Sequence, residues 1–141
     1  MVATLIVAQG ELADAILRSA RTIVGETPAT EALSVAWDAE PEDIVLQVRQ
    51  GVERLDQGDG VLILTDMHGG SPDQAARRLV GERRVAVLAG VNLPMVVRLA
   101  CCRPDDMSLE QLAAWIEAKG KRAICGQEGA AVAATPECGG R

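Results

Sequence analysis

Apolar positions along the chain follow two habits, short unbroken runs and stripes at helical spacing. Ala3 to Ala8 (Ala-Thr-Leu-Ile-Val-Ala) is an unbroken run of strand length. From Leu12 the spacing changes. Leu12, Ala15, Ile16, Ser19, Ala20 and Ile23 recur as on one face of a helix, and Gly25 stops it. Leu33 to Trp37 reads as a second strand. Pro41 suits a first helical position, Glu42 and Asp43 suit the positive end of the helix dipole, and Ile44, Val45, Val48, Val52 and Leu55 supply the stripe. Gly60 to Thr65 is a third strand, apolar on both faces. Ser71-Pro72-Asp73-Gln74 has the form of a capping box with Ser71 as N-cap, predicting a helix to about Val80. Arg84 to Ala89 is a fourth strand, and Pro94 opens a short helix through Ala100. Ser108 to Gln111 is a second capping box, opening a helix that ends at Gly120. Arg122 to Cys125 is a candidate for one further short strand.

Strand and helix thus alternate four times, and the strands read as buried on both faces. The predicted fold class is α/β: an open, mostly parallel four-stranded sheet with helices on both faces, with the C-terminal segment as a candidate fifth strand. Residues 1–120 form the domain, and residues 121–141, rich in Gly and Ala, are read as its C-terminal strand and a flexible tail. At 141 residues there is room for one domain and too little for two.

Composition then removes several functions. The chain is 48% apolar and 24% charged, with 14 basic against 20 acidic residues, a net of −6. It has no basic stripe to neutralise phosphates, which argues against nucleic acid and against an anionic membrane surface. Tyr and Phe are absent, so bases have no aromatic platform to stack on. No run is long enough for a membrane span, and the apolar start lacks the positive region of a signal peptide, so a cytoplasmic chain without membrane insertion is expected. Cys101, Cys102, Cys125 and Cys138 fit no metal or redox spacing, and reduced thiols are expected. Adjacent Cys101 and Cys102, placed on a helix, are not expected to converge on one metal. No metal or cofactor is predicted.

In such sheets ligands sit beyond the carboxyl ends of the strands, where the strand order reverses. Among the loops there, Asp66-Met67-His68-Gly69-Gly70-Ser71 is the most specific signal. Two glycines permit close backbone approach, and a capped helix follows, the elements of an anion site suited to a phosphoryl group. A tight strand-to-helix turn accounts for the same residues. His68 is the only histidine. A lone loop histidine is more often a surface residue than a catalyst, but the position after Asp66 raises its functional weight. A Walker loop, a nucleophile elbow and a dinucleotide fingerprint are each missing essential residues.

Three stretches carry a family likeness: Val7-Ala8-Gln9-Gly10-Glu11-Leu12-Ala13, Leu64-Thr65-Asp66-Met67-His68-Gly69-Gly70-Ser71-Pro72 and Ala89-Gly90-Val91-Asn92-Leu93-Pro94-Met95. Together they resemble the mannose-type IIA domains of the bacterial sugar phosphotransferase system, from Met1 to about Gly120. The resemblance implies the same open sheet, with an antiparallel strand added near the C-terminus and exchanged in a homodimer, and partners that are an HPr-like phosphocarrier and a IIB component. It implies a first-loop histidine that accepts the phosphoryl group, oriented by the aspartate matching Asp66, with Gly69, Gly70 and Ser71 cradling the anion. This chain departs from that pattern at its centre. The acceptor position is Gln9, whose carboxamide nitrogen is not nucleophilic, and His68 stands where the family usually has an apolar or aromatic residue. Three readings follow: a phosphocarrier that uses His68 as a substitute acceptor, a phosphorylation-dead IIA-like protein that binds partners, and a small anion-binding domain. Gln9 and His68 are expected to flank one cleft.

Overall fold

A computed structural model describes residues 1–127 of the chain. β1 (Ala3–Gln9) is buried at six of its seven positions and β3 (Val61–Thr65) at all five, which is why their sequences show no alternation. They lie side by side and parallel, Ala3 opposite Val61 and Val7 opposite Thr65. β2 (Thr30–Val35) and β4 (Val85–Ala89) flank them, giving the order β2-β1-β3-β4, all parallel. These outer strands are half-buried rather than enclosed, Val35 excepted.

Five helices cover the sheet: α1 (Leu12–Val24), α2 (Pro41–Leu55), α3 (Ser71–Arg77), α4 (Leu93–Cys101) and α5 (Leu109–Arg122). On one face Ala13, Leu17 and Ala20 of α1 pack with Met95 and Leu99 of α4 and Leu112 and Ile116 of α5, over Ile6, Ala8, Leu62 and Leu64. On the other, Ile44, Val48 and Val52 of α2 and Ala75, Ala76 and Leu79 at α3 cover Leu5, Val7 and Ile63. Alternate strand residues therefore feed two separate cores, as strand geometry requires. The order reverses between β1 and β3, so the carboxyl ends of these two strands, at Gln9 and Thr65, mark the switch point.

Several boundaries differ from the sequence reading. β2 starts at Thr30 and ends at Val35, because pairing with β1 runs from Thr4↔Thr30 to Gln9↔Val35. Trp37 lies beyond the strand and 75% exposed, and a Cβ on Gly10 would sit 3.0 Å from its Nε1, so the indole covers Gly10. α3 ends at Arg77, after which Leu79 and Val80 donate to Ala76 and Arg77 carbonyls three residues back. Leu79 keeps its core contact in that tighter turn, so the apolar spacing outlasts the α-helix. α5 continues past Gly120 to Arg122. Gly120 is there for close approach: a Cβ would meet the Met95 Sδ at 2.7 Å. Residues 121–127 hold no strand, since Arg122 is helical and the Ala123 amide bonds the Lys119 and Gly120 carbonyls. The remainder of the expected strand and tail, 128–141, lies outside the described residues. Among the cysteines, Cys101 and Cys102 are free but Cys125 is disulfide-bonded, so the expectation of reduced thiols fails for Cys125. Among the described residues no helix is long and apolar enough to cross a membrane.

Candidate functional site

Gln9 is the last residue of β1 and half-buried. Its backbone N–H donates to Asp66 Oδ2 at 3.0 Å, while Asp66 Oδ1 accepts from the Met67 amide at 2.8 Å. The carboxylate thus ties the end of β1 to the loop after β3, bringing the first and third loops together at the switch point. It does so through backbone amides, with each oxygen already engaged.

The loop from Asp66 to Gly70 is shaped by a residue that the sequence reading passed over. Asp73 is wholly buried, and three donors converge on its carboxylate: Thr65 Oγ1 at 2.8 Å, the Gly69 amide at 2.9 Å and Arg77 Nε at 2.8 Å. Burial alone pushes the Asp73 pKa up. The bonds from Arg77, Gly69 and Thr65, with the Arg77 charge, outweigh it and hold the carboxyl below its ordinary value. Thr65 shares the strand face of Val61 and Ile63, toward α3, which is why its hydroxyl reaches this helix.

The helix start also differs from the expected capping box. Gly70 is the N-cap, and Ser71 is the first helical residue, exposed and without a side-chain cap bond. The third helical residue is then Asp73, which reaches back to the Gly69 N–H, and Gln74 Nε2 instead donates to the Gly69 carbonyl at 2.6 Å. The Gly70 amide donates to the Met67 carbonyl at 3.1 Å. Both glycine amides are therefore committed to holding the turn, with Gly69 at φ +81°, a conformation that favours glycine.

His68 is exposed and lines an open cavity of about 450 Å³ on the β4 side of the loop. Arg77, Gly90, Asn92, Glu117 and Lys121 share that lining, while Gln9 and Asp66 do not belong to it. The loop after β4 is fixed by Asn92, whose Oδ1 caps α4 by accepting from the Met95 amide at 3.1 Å and whose Nδ2 donates to the Gly120 carbonyl at 3.2 Å. The structure brings Gln9 and Asp66 into hydrogen-bond contact and sets His68 two residues further along the same loop, in the lining it shares with Arg77. Asp73 and Arg77 are the site residues the sequence reading missed. Their only signal was a threonine closing a buried strand eight positions before an acidic residue.

Comparison with known proteins adds to this geometry. The family model described as PTS system fructose IIA component matches residues 3–117. The mannose-specific EIIAB component of Escherichia coli strain K12 is 32% identical over 124 residues, covering 87% of this chain and 38% of that protein. The chain thus spans well under half the length of that relative. The fructose-specific EIIA component of Bacillus subtilis is 26% identical over 113 residues, covering 79% of this chain and 77% of that one. In fold, the chain is similar to a phosphotransferase system EIIA from Streptococcus agalactiae, with TM-score 0.81 and 24% identity over 89% of this chain and 97% of that one. It is likewise similar to the mannose/sorbose-specific IIA subunit from Enterococcus faecalis, with TM-score 0.79 and 24% identity over 94% and 100% of the two chains.

Proposed function

Since the chain belongs to the PTS system fructose IIA component family, we propose that it serves sugar uptake as a IIA-type component that docks an HPr-like phosphocarrier and a IIB component in the cytoplasm without carrying a phosphoryl group on its first loop. The observation that carries this reading is Gln9 at the end of β1, hydrogen-bonded to Asp66. A phosphoryl relay needs a nucleophile whose lone pair is available to phosphorus. The carboxamide nitrogen of Gln9 shares its lone pair with the carbonyl. The Gly69 and Gly70 amides bond within the loop, which leaves the Ser71 hydroxyl as the exposed polar group of the expected cradle.

One observation favours a second reading, with His68 as acceptor. His68 shares its cavity lining with Arg77 and Lys121, two cations of the sign that transferred charge needs. Intact mass after incubation with phosphoenolpyruvate, enzyme I and HPr separates the two, with HPr binding followed in parallel by titration. Docking without transfer predicts binding and an unchanged mass. A gain of one phosphoryl group that is lost in His68→Ala establishes the second reading. A gain that survives His68→Ala overturns both.

A further inference from the structure

At the pole of the sheet opposite the candidate site, α4 ends on two adjacent cysteines. Cys101 is its last residue, and Cys102 has left helical geometry, with φ −128° and ψ 13°. Adjacent residues of a regular helix point about 100° apart around the axis. The departure at Cys102 brings the two side chains together instead, and their sulfurs stand 3.2 Å apart. Both residues are free thiols and exposed.

We propose that Cys101 and Cys102 form an oxidisable dithiol that hydroperoxides close to a vicinal disulfide. One sulfur attacks the distal peroxide oxygen. The O–O bond breaks, the alcohol or water leaves with the thiol proton, and a sulfenic acid forms. The second sulfur attacks that sulfenic sulfur, the S–O bond breaks, and water leaves with the second thiol proton. Two thiols are oxidised by two electrons, and one peroxide is reduced. The hydrogen bond to Cys102, with some burial, pushes the Cys101 thiol above its ordinary pKa, while the Arg98 charge opposes this.

Closure is geometrically short and energetically strained. The sulfurs must approach by roughly 1 Å to reach a bond of about 2.05 Å. Neighbouring Cα atoms about 3.8 Å apart lie below the usual disulfide range of about 4.4–6.8 Å. A strained, exposed disulfide has a high reduction potential, so this one is readily reduced again and acts as a reversible modification rather than a structural staple.

The test uses the full chain treated with hydrogen peroxide, then alkylated and digested with trypsin. Because Arg103 precedes Pro104, cleavage after Arg98 and Lys119 yields one fragment holding both cysteines and excluding Cys125. The expected fragment is two hydrogens lighter, unalkylated, and restored to two alkylation sites by dithiothreitol. Cys101→Ser should stop at a sulfenic acid on Cys102 that dimedone traps. A wild-type fragment that is alkylated at both cysteines, that carries added oxygen on a cysteine as read by fragmentation apart from Met107, or that is joined to another chain overturns the proposal.

Discussion

Asp73→Ala should destabilise the fold by about 3–4 kcal/mol, and Asp73→Asn by only about 1 kcal/mol. The alanine change strands the Thr65 hydroxyl, which is fully buried, and removes the acceptor of the Gly69 amide. A buried donor left without a partner costs about 1–3 kcal/mol, and the lost charge-assisted bonds and the cavity add to it. The Arg77 bond counts for little, because that side chain is 45% exposed and solvent screens it. Asparagine keeps the shape. Its carbonyl oxygen can take the place of Oδ2 and accept from Gly69 and Arg77. Its NH2 then faces the Thr65 hydroxyl, which rotates to accept instead of donate. Urea denaturation at neutral pH, read as a shift in midpoint at unchanged slope, measures both values. Equal costs for the two variants, or a cost below about 1 kcal/mol for Asp73→Ala, would refute the three-donor account. The pH dependence has a fixed sign. Folding lowers the Asp73 pKa, so the stabilisation is complete above the unfolded carboxylate pKa of about 3.9 and fades as pH falls through the lower folded value. The gap between wild type and Asp73→Asn should therefore close on acidification below about pH 4.

Ser108→Ala should cost about 1 kcal/mol, because Ser108 Oγ accepts from the Gln111 amide while Gln111 Oε1 accepts from the Ser108 amide, and thermal unfolding reads the loss. Gly60→Ala should cost more than Gly58→Ala, although both stand at positive φ. A Cβ at Gly60 would lie 2.8 Å from the Arg84 carbonyl oxygen, whereas at Gly58 it enters open space. Gly58→Ala should then show the backbone strain alone, about 1–2 kcal/mol, and equal midpoints in urea would refute the contact.

How much of this was legible depended on whether a signal was local. β1 and β3 announced themselves because burial on both faces leaves no room for polar alternation. β2 did not, since Thr30, Glu31 and Ser34 share its half-buried face-alternating stretch and its register is set by β1, a partner more than twenty residues away. The first-loop and third-loop motifs pointed to Gln9 and Asp66, which the fold joins by one hydrogen bond. The capping box expected at Ser71 does not form: the helix starts one position earlier, capped by Gly70, which has no side chain to close a box. In the frame that forms, Asp73 accepts from the Gly69 amide and the buried Thr65 hydroxyl, and Gln74 donates to the Gly69 carbonyl. Gly120 was read as a helix stop when its role is the approach of α5 to Met95 on α4, a contact that no local pattern encodes.

Gln9→His should convert the chain into a phosphoryl acceptor, if the acceptor is all that the site lacks. The position of residue 9 is set by its backbone N–H to Asp66 at 3.0 Å, which the substitution leaves in place. A carboxylate offers about four lone-pair sites, and the bonds from the Gln9 and Met67 amides use two. Asp66 can therefore still accept from one nitrogen of the introduced imidazole and leave the other free to attack phosphorus. The expected result is a mass gain of one phosphoryl group from phospho-HPr, acid-labile, and retained when His68→Ala is added. The opposing effect is also visible in the loop. The Gly69 amide is held by Asp73 and the Gly70 amide by the Met67 carbonyl, so neither is free to stabilise the transferred charge unless the loop rearranges. Should Gln9→His fold, bind HPr and take up no phosphate, the missing nucleophile is not the sole defect. Freeing the Gly69 amide with Asp73→Ala in the same chain, once that variant is shown to fold, then becomes the discriminating step. Phosphorylation regained there would place the block at the committed Gly69 amide, and phosphorylation still absent would leave it with the Gly70 amide or with the alignment of the docked donor, where a misfit of about 1 Å costs roughly 100-fold in rate.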